Sequence, residues 1–274
     1  THIDVPSGSG KRTLLHFGAV DWHARVFVDG KEVGEHKGGF DPFSFDITPF
    51  VKGPRAELAV WVQDPTDKGG QPRGKQVLKA EGIWYTPASG IWQTVWLEQV
   101  PEKSIVSYHV DSDIDEGEAV VTVSAPQGTT VDIEAFDKGQ SKGKVSGRSG
   151  EALKLKVSNP KLWSPESPFL YDLQIELKVG AQTVDKVKGY FGLRKMHLGK
   201  DTHGVTRLFL NGKPYFQFGP LDQGYWPDGI YTAPTDEALK FDIEAAKKMG
   251  SNMLRKHVKV EPERFYSWCD KMGI

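Results

Sequence analysis

Up to about Met196 the apolar residues of this chain recur at every second position in short runs, broken by Gly, Pro, Asn and Asp. That period places one face of each run in a core and the other in solvent, which is the signature of half-buried strands. Runs rich in Val, Leu, Phe and Trp predict strands at 12–17, 24–28, 43–47, 57–62 and 93–100. Asp29-Gly30 joins two strands and suits a type I′ turn, whose two central residues both need positive φ. Residues 64–82 are polar and rich in Gly, Pro and Lys, a long irregular insert of the kind that lies on a surface, often near a site. A second block predicts strands at 104–114, 118–124, 130–136, 153–158, 170–179 and 183–191. About seven short antiparallel strands in about 100 residues fit an immunoglobulin-like sandwich, with its topology left open.

The period changes after Arg207. A hairpin is predicted over 208–218 around Asn211-Gly212, followed by a loop over 219–234 that carries Tyr225, Trp226 and Tyr231. Thr235 is a suitable N-cap, and Asp236 and Glu237 complement the positive end of a helix. Leu239, Ile243, Ala246 and Met249 make one apolar face, Lys247 and Lys248 suit the negative end, and Gly250 stops the helix. A short buried strand is predicted over 252–257. Pro262 then opens a second helix that Gly273 closes. Alternating β and α elements belong to a parallel barrel or a doubly wound sheet. Two alternations do not make a stable parallel sheet, so 199–274 reads as the first βα units of a truncated larger domain. The expected organisation is 1–100, 101–198 and 199–274, with Pro101 at the first boundary.

Composition narrows the partners. The 274 residues carry 35 basic and 36 acidic side chains, a net charge of −1. That balance gives no electrostatic reason to expect nucleic acid or an acidic membrane. No apolar run approaches the roughly 20 residues that a membrane helix needs. Residues 1–10 contain no apolar h-region, so no signal peptide is visible. Cys269 is the only cysteine and shares an apolar stripe with Phe265, Trp268 and Met272, which predicts a buried structural thiol. Asp111-Ser112-Asp113-Ile114-Asp115 resembles the start of a calcium loop. Glu116 stands where that loop needs Gly and Thr122 where it needs Glu, so a solvated acidic turn is expected. Gly8-Ser9-Gly10-Lys11 lacks both the leading spacing and the trailing Ser or Thr of a phosphate loop. No cofactor is implied.

In a (β/α)8 barrel the reacting groups stand at the C-terminal ends of the strands. That rule selects Asp222, Gln223, Tyr225 and Trp226 after the hairpin strand, and Arg255 and His257 after the next. Arg255 and His257 alternate with Leu254 and Lys256, so both can face a barrel mouth. The competing assignment is a surface ion pair with Glu261 or Asp222. Tyr225 and Trp226 suit a platform for the C–H face of a sugar. Their alternative is a hairpin tip packed on a neighbouring domain. His257 and Glu261 straddle a strand end instead of sharing a helix face, which argues against a metal site.

Several motifs together carry a family resemblance. They are Phe17-Gly18-Ala19-Val20-Asp21-Trp22, Val28-Asp29-Gly30-Lys31-Glu32-Val33-Gly34 and Gly38-Gly39-Phe40-Asp41-Pro42-Phe43-Ser44-Phe45-Asp46-Ile47-Thr48. This set resembles the galactose-binding-like jelly roll of glycoside hydrolase family 2, and Ser89-Gly90-Ile91-Trp92-Gln93-Thr94-Val95-Trp96-Leu97-Glu98 is similar to its closing strand. Tyr190-Phe191-Gly192-Leu193-Arg194 resembles the end of the family's sandwich domain. Leu210-Asn211-Gly212-Lys213-Pro214, Gly250-Ser251-Asn252-Met253-Leu254-Arg255 and Cys269-Asp270-Lys271-Met272-Gly273-Ile274 resemble the start of its barrel.

The resemblance implies a fragment of a retaining exo-β-glycosidase that acts on a β-linked oligosaccharide or glycoside. Such enzymes use two glutamates with carboxylates about 5–5.5 Å apart. In the family both lie beyond the position that matches Ile274, so neither is expected here. Arg255 matches the family's arginine that supports the pocket and its nucleophile. Asp222 and Gln223 stand where many β-galactosidases carry an Arg-His pair, and Val258 where they carry a histidine, with His257 one residue early. The loop around Trp84 and Tyr85 reaches the active site in β-galactosidases with an aspartate, and none aligns here. Galactose specificity therefore does not carry over with the family. The alternative is a non-catalytic carbohydrate-binding or adhesion module built from the same two sandwiches. Export to the periplasm or medium is the expectation that polysaccharide-degrading relatives suggest for the full-length protein.

Overall fold

The computed structural model describes residues 1–6, 8 and 10–274; Ser9, within the glycine-rich stretch considered above, lies outside the described residues. The chain forms two compact units. The first contains Thr1–Glu102, Pro220–Asp242 and Leu254–Tyr266, the second Lys103–Gly219, Ile243–Met253 and Ser267–Ile274.

In the first unit the strands are β1 (His2–Asp4), β2 (Lys11–Phe17), β3 (Val20–Asp21), β4 (His23–Val28), β5 (Lys31–Lys37), β6 (Phe43–Asp46), β7 (Arg55–Gln63), β8 (Gly90–Ile91) and β9 (Val95–Pro101). One antiparallel sheet has the order β1-β7-β4-β5, another β6-β2-β9, and β3 pairs with β8. Burial alternates along β2 and β4, as the period of two requires. Leu15 and Phe17 from β2 and Val26 and Val28 from β4 therefore share one core with Ile47. Asp29 and Gly30 adopt φ of 47° and 72° between β4 and β5, the backbone a type I′ turn demands. The insert predicted over 64–82 runs between β7 and β8 without a strand of its own.

The second unit holds β10 (Ser107–Asp113), β11 (Glu118–Ser124), β12 (Thr130–Asp137), β13 (Gln140–Arg148), β14 (Ala152–Lys156), β15 (Tyr171–Val179) and β16 (Gln182–Phe191). A three-stranded sheet β10-β11-β14 and a four-stranded sheet β13-β12-β15-β16 make seven strands; six correspond to the predicted runs, and β13 is the one that none of them covers. Their inward residues, Val121, Ile133, Leu155, Tyr171, Ile175 and Leu177 among them, are fully buried together. β17 (Met196–Lys200), β18 (Thr206–Leu210) and β19 (Lys213–Pro214) follow as a small sheet. The acidic turn after β10 is tied by Lys195 to Asp115 and by Glu116 N–H to Asp113 Oδ1 (3.1 Å).

β20 (Leu221–Asp222), α1 (Asp236–Lys248), β21 (Arg255–Lys256) and α2 (Glu263–Met272) complete the chain. Thr235 Oγ1 accepts the Ala238 N–H (3.1 Å), so the predicted N-cap is in place. Leu239, Ile243 and Ala246 are buried as expected, but Met249 is 69% exposed, because α1 has ended one residue before it. The strand predicted over 252–257 shrinks to two residues and is not buried: Arg255 is exposed and Lys256 half-buried. Asn252 serves instead as a side-chain clamp, accepting Phe218 N–H and donating to Phe216 O, both at 2.8 Å. Cys269 is half-buried on α2, whereas Phe265 is buried.

Candidate functional site

β20 and β21 lie parallel, with Leu221 opposite Arg255 and Asp222 opposite Lys256. Arg255 N–H donates to Pro220 O (3.0 Å) and His257 N–H to Asp222 O (2.8 Å), so the two strand ends stand side by side. This pairing brings Asp222, Gln223 and Arg255–Lys256 with His257 to one place in the first unit.

The charges at these strand ends are distributed differently from the surface ion pair considered for Arg255 or His257. Lys256 takes both carboxylates, Asp222 at 2.8 Å and Glu261 at 2.7 Å. Among the described residues Arg255 and His257 form no ion pair. Lys259 has a side chain 0% exposed and donates to Gly224 O and Tyr231 O, both at 2.6 Å, with Glu261 at 3.2 Å. Burial drives the Lys259 ammonium toward its neutral form, and the Glu261 carboxylate opposes that. A buried cation is tolerated only when fully paired, and here two carbonyls and a carboxylate do so. Gly224 completes the fit: its φ is +64°, and a Cβ there would sit 2.2 Å from Glu261 Oε1. Asp242 feels the same enclosure, its carboxyl pushed up by burial and by Asp222 while Lys256 pulls it down.

Beside this network stands an aromatic cluster. Tyr225 stacks on Tyr85 at 3.6 Å between centroids and lies 4.9 Å from Tyr231, which meets Trp92 at 5.1 Å. One face of Tyr225 is thus already covered by the insert. Trp92 Nε1 donates to Gly39 O (2.7 Å), and Thr232 Oγ1 donates to Trp92 O (2.6 Å), which fixes the 219–234 loop on the sandwich core of this unit. Burial raises the Tyr225 phenol far above its ordinary range and pushes Tyr231 up to about 12, so both remain neutral donors. Asp21 lies buried beside them, with Gln76 Nε2 donating to its Oδ2 (3.2 Å). Burial first, and the nearby Asp64 charge second, push the Asp21 carboxyl up to about 6 against the Gln76 hydrogen bond.

Among the described residues, five buried polar atoms of these segments have no hydrogen-bond partner: Gln223 Oε1, Tyr225 Oη, Trp226 Nε1, Tyr231 Oη and His257 Nδ1. Unsatisfied buried groups are costly, so each of these atoms calls for a partner that the protein itself does not supply, such as water or a ligand. Asp222 and Glu261, by contrast, are both occupied by Lys256, so neither is free as a general acid or nucleophile. Among the described residues no group of three or more His, Cys, Asp or Glu could hold a metal ion. No helix is long and apolar enough to cross a membrane.

The strand-end rule selects Asp222, Gln223, Tyr225, Trp226, Arg255 and His257 and misses Lys256, Lys259, Asp21 and Gln76, while Tyr85 enters only through the loop that the family resemblance carries to the site. Lys256 and Lys259 read as solvated lysines because nothing local announces their burial. Gln76 and Tyr85 sit in an insert with no periodicity. Only the density of charge in Lys256, Lys259 and Glu261 around a two-residue strand offered a signal.

Residues 1–101 match the family model described as "Glycosyl hydrolases family 2, sugar binding domain", and residues 103–194 that described as "Glycosyl hydrolases family 2". A β-galactosidase of Thermoanaerobacter pseudethanolicus is 26% identical over 291 residues, which cover 97% of this chain and 36% of that protein. A β-glucuronidase of Bacteroides fragilis is 28% identical over 292 residues, covering 98% and 40%. The solved Ruminococcus gnavus β-glucuronidase has a TM-score of 0.86 and 23% identity, covering 100% of this chain and 48% of that one; the likeness is one of fold. The chain therefore spans less than half the length of these relatives.

Proposed function

The chain belongs to family 2 of the glycosyl hydrolases, and on that premise we propose that it builds one wall of the glycone pocket of a retaining exo-β-glycosidase. In this reading 1–100 is the jelly roll, 101–198 the immunoglobulin-like sandwich, and 199–274 opens a (β/α)8 barrel. The catalytic glutamates belong to barrel strands outside these 274 residues. The observation that carries the proposal is the parallel pair β20–β21 with α1 between its strands, a βαβ unit whose strand ends bring Asp222 and Gln223 beside Arg255 and His257. Parallel pairing through a helix is the barrel's repeating step, and strand ends are where its chemistry stands.

Each group then has a task. Arg255 is exposed and, among the described residues, without an ion pair, so its guanidinium is available to support a carboxylate brought by later strands. Gln223, Trp226 and His257 offer hydrogen-bonding atoms to sugar hydroxyls. Lys256 and Lys259 hold the loops that carry them. The relatives include both β-glucuronidases and β-galactosidases, so the sugar is open between neutral and acidic pyranosides.

The test is hydrolysis of a panel of aryl β-glycosides by the full-length protein. Turnover of at least one is expected, with about a hundredfold loss in kcat/KM on Arg255→Ala through misplacement of the reacting groups. The 274-residue chain by itself should not turn over any of them. Glycoside binding without turnover by the full-length protein would instead favour the non-catalytic binding module.

A further inference from the structure

The insert between β7 and β8 forms a strap with a concave side. Val77 N–H donates to Tyr85 O (3.2 Å) and Tyr85 N–H to Lys75 O (2.8 Å), which closes residues 76–85 into a loop. Its base is pinned by Gln76, which is 2% exposed. Gln76 Nε2 donates to Asp21 Oδ2 and to Arg73 O (3.1 Å), while its Oε1 accepts Ala88 N–H (2.5 Å). Further along, Leu78 N–H donates to Asp67 Oδ2 (3.0 Å) and Trp84 N–H to Glu81 O (3.1 Å). These bonds make the loop a fixed frame.

The frame encloses an open depression of about 450 Å³. Trp84, 40% exposed, forms one wall with Leu78 beside it. Lys68, Lys79 and Glu81 stand around the rim with Asp67. Among the described residues the side chains of Lys68, Lys79 and Glu81 make no hydrogen bond or ion pair, whereas other surface charges of this unit are paired, as in Arg25–Glu32 and Arg12–Asp46. The volume falls within the range of small-molecule sites, roughly 300–1,000 Å³. An exposed indole offers its face to apolar C–H groups, and ammonium donors and carboxylate acceptors side by side suit hydroxyls, which both donate and accept. Two lysines and two carboxylates cancel, so the rim has no preference for a charged ligand.

We propose that this depression binds a neutral pyranose of a β-linked glycan, stacked on Trp84 and hydrogen-bonded by Lys68, Lys79 and Glu81. The ligand class rests on the glycosidase reading above; the site itself rests on the strap. Because Gln76 pre-forms the loop, binding does not have to order it, which favours a shallow site.

The test uses the 274-residue chain with ¹⁵N-labelled indoles and amides, titrated with lactose as a neutral β-linked probe. Trp84 Nε1–H and amides of 67–84 should shift saturably, with a dissociation constant on the order of 1–10 mM. Trp84→Ala should abolish the shifts and Glu81→Gln should weaken binding several-fold. Trp96→Ala, which removes an exposed indole from β9, should leave them unchanged. Unchanged spectra of the core strands would confirm that each variant is folded. Shifts confined to Trp226 and the strand ends would overturn this inference and leave the glycosidase reading standing. Absence of any shift would overturn the inference as well, while hydrolysis by the full-length protein decides the glycosidase reading separately.

Discussion

Asp21 shows how a single side chain can link folding to pH. Its ordinary pKa is 3.8 and it is raised to about 6 in the fold, because burial and Asp64 both oppose its charge. The folded protein therefore holds the Asp21 proton where the unfolded chain has released it. Stability from this group is present in full below the unfolded value and falls as pH rises through the folded one. Two pKa units correspond to about 3 kcal/mol at most. Asp21→Asn keeps an oxygen acceptor for Gln76 Nε2 without the charge. Urea denaturation should find it more stable than the parent at about pH 8, with the difference vanishing near about pH 4. Parallel pH profiles for the two proteins would refute the assignment. Nothing in the sequence around Val20-Asp21-Trp22 announces this, because the hydrogen-bond partner of Asp21, Gln76, lies 55 residues away.

At the scale of elements, the readable ones are those whose own side chains specify them. Alternating Leu, Val and Phe gave β2, β4, β7, β12 and β15 away, since each has one face that is buried or, in the second half of β7, half-buried. β5 and β13 escaped because both lie at a sheet edge and expose most of their residues, Lys31-Glu32-Val33-Gly34 and Gln140-Ser141-Lys142-Gly143 at their starts. Such edges bury too little to need a hydrophobic pattern. The helices were legible through their ends. Thr235 caps α1 and leads two acidic residues, Asp236 and Glu237, so the start depends on one hydroxyl and two favourable charges. Thr235→Ala should cost about 1 kcal/mol, read as a lower denaturation midpoint with an unchanged slope. Thr235→Asp should restore most of it, because aspartate caps and adds a charge that suits the helix dipole. An alanine variant as stable as the parent would show that packing of Leu239, Ile243 and Ala246 alone sets the start of α1.

Across the whole molecule, stability is expected to follow burial and not secondary structure as such. β12 and β15 are long, paired on both sides and lined by Val131, Ile133, Leu173, Ile175 and Leu177, all fully buried. β20 and β21 have two residues each, with Leu221 and Arg255 exposed and no third strand beside them among the described residues. Opening the long pair exposes a core, while opening the short one releases only a few backbone hydrogen bonds and the Lys256 charge network. Native-state hydrogen exchange should therefore protect the amides of β12 and β15 roughly a hundredfold or more over those of Arg255 and His257. The candidate site would then sit on the more labile part of the chain, as expected for a parallel pair with no third strand beside it among the described residues. Equal protection in both regions would mean that the Lys256–Asp222–Glu261–Lys259 network holds the strand ends as firmly as a hydrophobic core. The βαβ unit would then be stable without any strand beyond β21.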